Sequence, residues 1–202
     1  MANIARNGFR WVGNKLSPSS TEPPIIILPV ASGYATAIPR GYPVTLISDG
    51  TLTVAAVTDV VYGISDGAAQ YYDGTAVRKG SALPVSTTYG SVLARQSLLR
   101  VIPIRGQLFR ATVDDAVTGT TLADYIAFVG ENLPWVAGTA TGDEAGCQLD
   151  ISLHATTATS AFVWRIENIP DRELQDFAST GVSLLVSCNL PQDTAGGSTT
   201  GT

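Results

Sequence analysis

Residues 98–113 read LLRVIPIRGQLFRATV, two short apolar runs separated by Arg105 and Gly106. Both runs are rich in the β-branched and bulky apolar residues that favour strands over helices. We therefore predict one strand over residues 98–104 and another over residues 107–113. The two strands form a hairpin if Gly106 provides a tight turn between them.

The same pattern of short apolar runs extends in both directions from this stretch. It predicts strands at residues 43–47, 52–57, 60–64, 83–86 and 125–129, and a second set at residues 147–153, 162–167 and 182–189. Three Asp-Gly pairs, Asp49-Gly50, Asp66-Gly67 and Asp73-Gly74, are suited to the positive φ angles of hairpin turns. The prediction is a mainly β fold, with a small antiparallel β-barrel or sandwich.

Changes in composition divide the chain into four segments. Residues 1–40 form a predicted extended N-terminal arm, and residues 41–137 form the β-barrel or sandwich body. A Gly/Thr-rich seam then leads to a second short β segment over residues 138–191, which includes one predicted short helix at residues 171–178. Residues 192–202, QDTAGGSTTGT, are a low-complexity tail that we expect to be flexible.

The N-terminal arm is rich in proline and in large apolar residues at the same time. Proline removes backbone donors, which keeps the arm out of helices and central strands, and the apolar residues favour docking on a surface. We expect the arm to gain its order from a partner. The residues expected to contact that partner are Phe9, Arg10, Trp11, Ile25, Ile26, Ile27 and Leu28.

The charge pattern narrows the classes of partner. Charged residues make up only 14% of the chain and lysine occurs only at Lys15 and Lys79, a composition that tolerates burial against another protein. The net charge of -5, without a basic run, argues against nucleic acid as a partner. No apolar stretch approaches the roughly 18 residues of a membrane span, and no secretory signal is apparent, so we expect no membrane partner.

Residues that usually carry catalysis are scarce. His154 is the single histidine, and no nucleophile-turn or phosphate-loop motif accompanies it. Cys147 and Cys188 fit no metal-binding spacing, so we expect reduced, buried thiols. We therefore predict a protein that is not an enzyme and has no cofactor and no metal.

Arginines recur every five residues at Arg95, Arg100, Arg105 and Arg110. This spacing alternates between the faces of a strand and cannot form one continuous basic stripe. We interpret them as solvated strand arginines paired with nearby aspartates. The alternative is a set of interface anchors, because arginine is enriched at protein interfaces.

The proline-rich arm, the Asp-Gly pairs and the runs VVYGI at residues 60–64 and QSLLRVIPI at residues 96–104 together resemble the capsid decoration, or cement, proteins of tailed bacteriophages. The resemblance implies a structural virion protein that is made in the host cytoplasm and binds the outer surface of the head. It also implies that the chain stabilises contacts between major capsid subunits, as a trimer or dimer.

Two other functions stay open at this stage. The greater length of the chain leaves room for another virion component, such as a head fibre, collar, tail or adaptor subunit. The Tyr71-Tyr72 pair, next to a predicted turn, leaves room for a carbohydrate-binding β module in which exposed tyrosines stack on sugars.

Overall fold

The computed structural model describes residues 8–15, 17, 21–31, 34, 36–73, 75–84, 97–114, 121–156, 162–179 and 181–189. Its strands are β1 (Arg10–Asn14), β2 (Ile26–Pro29), β3 (Pro43–Leu46), β4 (Leu52–Val54), β5 (Gly63–Tyr72), β6 (Val77–Gly80), β7 (Leu98–Pro103), β8 (Gln107–Thr112), β9 (Asn132–Leu133), β10 (Trp135–Val136), β11 (Gln148–Leu149), β12 (Trp164–Asn168) and β13 (Ser183–Cys188). The helices are α1 (Leu122–Ala127) and a short 3-10 helix (Arg172–Leu174).

Two antiparallel sheets contain nearly all of these strands. The first has the order β1-β8-β13-β12-β9, and the second has the order β2-β7-β5-β3-β4, with β6 also paired to β5. Strands β10 and β11 form a small separate ladder. The prediction of a mainly β, antiparallel fold is confirmed. Among the described residues neither large sheet closes into a barrel, and the arrangement is consistent with a sandwich.

Each sheet buries its own apolar cluster. The first core is rich in aromatic residues, and Trp164 stacks on Phe9 with 4.1 Å between ring centroids and meets the edge of Phe109 at 6.0 Å. The second core is aliphatic and includes Val30, Leu99 and Val101. Ile64 and Ile102, from strands of the second sheet, belong to the first core. The two sheets are thereby packed together.

The stretch 98–113 does not form the hairpin that the sequence left open. β7 pairs with β2 and β5 in the second sheet, whereas β8 pairs with β1 and β13 in the first. Gly106 adopts a positive φ of 68°, and the Gln107 amide donates to the Ile104 carbonyl at 3.1 Å. This tight turn carries the chain from one sheet to the other.

The N-terminal arm provides an edge strand to each sheet. β1 pairs with β8, where Trp11 lies opposite Phe109, and β2 pairs with β7, where Ile27 lies opposite Arg100. An edge position agrees with the proline content, because an edge strand needs only one side of its backbone paired. Phe9 is only 2% exposed. The arm is therefore partly buried and paired within its own chain. This differs from the expectation that a partner protein orders it.

The predicted strand at residues 125–129 is wrong, because these residues form the end of α1 and the turn that follows it. A capping box starts the helix: the Thr121 hydroxyl accepts from the Asp124 amide at 3.4 Å, and the Asp124 carboxylate accepts from the Thr121 amide at 2.8 Å. Tyr125 points into the first core. Conversely, of the helix expected at residues 171–178, only Arg172–Leu174 is helical, as a 3-10 turn.

Of the three Asp-Gly pairs, one forms a turn and one lies at a bulge. Asp49-Gly50 is a turn as predicted, with Gly50 at φ 80° between β3 and β4. Asp66-Gly67 is not a turn: it lies inside β5, where the pairing register with β7 shifts between Ser65 and Gly67. Gly67 has a φ of 106°, and a Cβ there would come within 2.8 Å of the Gly80 carbonyl oxygen. Gly74 lies outside the described residues.

Strands from the predicted body and from the predicted second β segment pair with each other in the same sheets. β12 and β13 lie in one sheet with β8 and β9, and β10 pairs with β11 across the boundary expected at residues 137 and 138. Of the strand predicted at residues 83–86, the structure describes residues 83 and 84, and Leu83 bridges to Ile38. The tail at residues 192–202 lies outside the described residues.

Candidate partner-binding surface

An open groove of about 690 Å³ lies on the face of the second sheet that points away from its core. Its lining includes Ile27, Arg40, Asp66, Lys79, Ser81 and Arg100, and we call it the basic groove. It combines one large exposed apolar side chain and two alanines with three cations and one carboxylate. Such a mixture is suited to binding another molecule through both apolar and ionic contacts.

The strand register explains why these residues meet. Ile27 of β2 lies opposite Arg100 of β7, and Arg100 lies opposite Gly67 of β5, so the three positions form a row on one face of the sheet. Successive residues of a strand face opposite sides. Ile26 and Leu28 accordingly pack on the second core, whereas Ile27 is 57% exposed.

Asp66 is the electrostatic centre of the basic groove. One carboxylate oxygen, Oδ1, accepts from Arg40 Nε at 3.2 Å and lies 3.0 Å from Arg40 Nη2, and the other, Oδ2, lies 2.7 Å from Arg100 Nη2 in an ion pair. The Asp66 side chain is only 7% exposed, whereas those of Arg40 and Arg100 are 55% and 44% exposed. A buried carboxylate thus fixes two guanidinium groups that still face solvent.

The loop around Asp143 does not line the groove itself, but it contacts two residues that do, Arg40 and Ser81. The Arg40 amide donates to the Asp143 carbonyl at 2.8 Å, and the Ala145 amide donates to the Arg40 carbonyl at 2.9 Å. The Ser81 hydroxyl donates to the Asp143 carboxylate. Lys79, on β6, is exposed and makes no ion pair with any described residue. The lining residues therefore carry a local excess of positive charge on a chain whose net charge is -5.

The residues predicted to bind a partner are spread over several environments. Phe9 lies in the first core, so its apolar character is satisfied within the chain. Arg10 pairs with Glu144 at 2.9 Å, and the half-buried Trp11 donates from Nε1 to Gln107 Oε1 at 2.8 Å. The four apolar residues of the run at 25–28 alternate, and Ile25 and Ile27 face outward at 37% and 57% exposed while Ile26 and Leu28 pack on the second core.

The interpretation of the strand arginines as aspartate partners is confirmed for Arg100 and Arg110. Arg100 pairs with Asp66, and Arg110 pairs with Asp171 at 2.6 Å. Arg105 is exposed, and Arg95 lies outside the described residues. Because Arg100 also lines the basic groove, pairing with an aspartate does not prevent a role at an interface.

The residues considered for catalysis occupy separate places. His154 Nδ1 lies 2.5 Å from Glu131 Oε2, and its ring lies beside Phe128. Cys147 and Cys188 are free and buried, as predicted, and burial raises the pKa of the Cys147 thiol to about 12. In the part of the chain that the structure describes, no three His, Cys, Asp or Glu residues gather as metal ligands.

Neither described helix has the length and apolar character needed to cross a membrane. No protein-family model, curated protein or solved structure matches the chain. What the surface binds is therefore inferred from its own chemistry.

Proposed function

We propose that the chain is a structural virion protein that binds the outer surface of a tailed-bacteriophage head and stabilises contacts between major capsid subunits. It acts by binding rather than by catalysis, together with further copies of itself in a dimer or trimer. The observation that carries the proposal is the basic groove, where exposed Ile27 lies on the same strand face as Arg100. The resemblance of the sequence to decoration proteins supplies the identity of the partner.

Modest contacts are sufficient for this function. Burying the side chain of Ile27 against a subunit stabilises the complex by up to about 1.5–3 kcal/mol if it starts fully exposed, and by less from its actual exposure of 57%. Subunits in a shell are linked to one another, so each additional bound copy reinforces the same assembly. A lightly charged surface with little lysine lowers the desolvation cost of each contact.

The test is a binding measurement on heads that lack the protein. Purified chain is added to such heads, unbound chain is removed by sedimentation, and the bound copies are counted by quantitative mass spectrometry. We expect saturation at hundreds of copies per head. Saturation at dozens favours the fibre, collar, tail or adaptor alternative, and failure to cosediment contradicts the proposal.

A matched pair of variants locates the binding surface. Ile27 and Val77 are both β-branched and similarly exposed, at 57% and 59%, but Val77 is not among the residues that line the groove. Ile27→Asp should weaken head binding by about tenfold or more, because it removes an apolar contact and adds a charge that must be desolvated on binding. Val77→Asp should bind as the unmodified chain does. Equal effects of the two variants would place the interface elsewhere.

A further inference from the structure

We infer that the basic groove binds an acidic peptide segment of the partner protein, with Arg40 and Arg100 receiving its carboxylates. The inference rests on the proposed function, since it names the chemistry by which the shell protein is recognised. The segment should carry at least one apolar side chain beside its acids, because exposed Ile27 lies next to Arg100 across the β2–β7 ladder.

Asp66 makes the two arginines a preformed anion receptor. Each guanidinium has five N–H donors. Asp66 accepts one hydrogen bond, from Arg40 Nε, and pairs with one Nη2 group of each arginine, so donors are left on side chains that are about half exposed. Because the guanidinium groups are already held in place, a ligand carboxylate meets them at a reduced cost in side-chain entropy. Planar guanidinium groups also match the geometry of carboxylates.

Lys79 adds a third cation at the same groove. It is exposed, and it forms no ion pair with any residue that the structure describes. Its flexible ammonium group can follow a carboxylate that the fixed arginines do not reach. Three cations surround one buried carboxylate, and that carboxylate is already shared by two of them. The groove therefore presents positive charge to a ligand.

The charge of the whole chain favours a short acidic segment over a nucleic acid. A polyanion of many phosphates experiences the field of the entire surface, and the chain has a net charge of -5. A short peptide responds mainly to the charges within about 8 Å, the Debye length at physiological salt. The lining carries three cations against one carboxylate, and a second carboxylate, that of Asp143, is hydrogen-bonded to Ser81 beside it, so positive charge is still in excess. Exposed Ile27 adds an apolar contact, which a phosphate backbone does not use.

The direct test uses a short soluble peptide that carries glutamates beside one leucine, and an analogue with glutamine in place of glutamate. NMR titration of the full chain should show shifts centred on Arg40, Lys79 and Arg100 with the glutamate peptide, and no comparable shifts with the glutamine analogue. Binding should weaken as salt is raised, because ionic contacts are screened.

Variants with equal changes in charge supply the control. Lys79→Gln and Arg100→Gln should each weaken peptide binding by about tenfold. Arg110→Gln also removes one strand arginine that is paired with an aspartate, but it lies in the first sheet and should leave binding unchanged. Lys79 has no ion pair among the described residues, so Lys79→Gln separates loss of binding from loss of folding.

Each result that differs from these expectations shows which claim is wrong, the inference about the groove or the proposed function. The inference is overturned if the glutamate peptide produces no shifts at the groove, or if inorganic phosphate or a single-stranded oligonucleotide binds there more tightly than the peptide. If the chain binds heads and Arg100→Gln and Lys79→Gln bind them normally, the proposed function stands and the inference fails. If the peptide binds the groove but heads do not bind the chain, the inference stands and the proposed function fails.

Discussion

At the scale of single residues, Asp66 differs from the surface carboxylates in its burial and in its two arginine partners. Replacing it with asparagine leaves Arg40 and Arg100 without their shared charge. Asp66→Asn should lower the free energy of unfolding by about 1–3 kcal/mol, toward the lower end because both arginines are about half exposed and can be solvated. Denaturant unfolding monitored by tryptophan fluorescence measures the change.

The matched control is Asp171, whose carboxylate pairs with Arg110 at 2.6 Å. Both of these side chains are well exposed, at 49% and 39%, so Asp171→Asn should change the free energy of unfolding by less than about 0.5 kcal/mol. Asparagine also tolerates the positive φ of 49° at this position. If the two substitutions cost the same, Asp66 does not organise the groove.

Cys147 gives a prediction about pH. Burial raises the pKa of its thiol to about 12 from the ordinary value of 9.0. Below pH 9 the thiol is protonated in both the folded and the unfolded chain, so its contribution to stability does not change. Above pH 9 only the unfolded chain ionises, and stability should fall by up to about 1.4 kcal/mol per pH unit, until the pH approaches the folded-state pKa.

A pair of variants isolates that effect from the ionisation of tyrosines. Unfolding free energies are compared at pH 8 and pH 10 for Cys188→Ala and for the double variant that also carries Cys147→Ala. The loss between the two pH values should be smaller in the double variant. An equal loss would mean that Cys147 is not buried as a protonated thiol.

At the scale of elements, the first two strands, β1 and β2, are integral parts of the fold. β1 and the residue before it supply Phe9 to the first core, and β2 and the residue after it supply Val30 to the second. Losing a buried phenylalanine alone costs about 3–5 kcal/mol, against a typical total stability of 5–15 kcal/mol. A chain that begins at Gly41 should therefore lose cooperative unfolding, as measured by circular dichroism during heating.

A chain that ends at Asn189 is the control for shortening. It lacks only the last two residues of the predicted second β segment and the low-complexity stretch, whose composition predicts no contribution to a core, and it should unfold as the full chain does. If the chain beginning at Gly41 instead unfolds cooperatively near the temperature of the full chain, the two N-terminal strands are dispensable. The arm would then be ordered by a partner after all.

Most strands could be predicted from the sequence because their apolar runs reflect local preferences. The errors have two sources, strand partners that are distant in sequence and a local helix-capping signal that was overlooked. The strands on either side of Gly106 looked like a hairpin, but each finds its partners in a different sheet. Tyr125 lies in an apolar run that resembles a strand, yet the capping box of Thr121 and Asp124 begins a helix there.

Only some of the residues of the groove could be identified from the sequence. Ile27 and Arg100 were singled out, but Asp66 was assigned to a turn because an Asp-Gly pair is a common turn signal. Its role depends on a bulge in β5 and on Arg40, 26 residues away in sequence. The alternation of the apolar run at residues 25–28 could have indicated that only alternate residues face outward.

At the scale of the whole molecule, the distribution of charge distinguishes one face. The chain is acidic overall, with a net charge of -5, but the groove on the second sheet is cationic. An acidic partner would thus be directed to this face rather than to the rest of the acidic surface.

The measurement that tests the proposed function most directly is the heat stability of DNA-filled heads. Heads that lack the protein are compared with the same heads after purified chain is added back, and DNA release is followed with a dye as the temperature rises. Added chain should raise the release temperature, and the Ile27→Asp variant should raise it less at equal concentration. If saturating amounts of the unmodified chain leave the release temperature unchanged, the chain does not stabilise the shell.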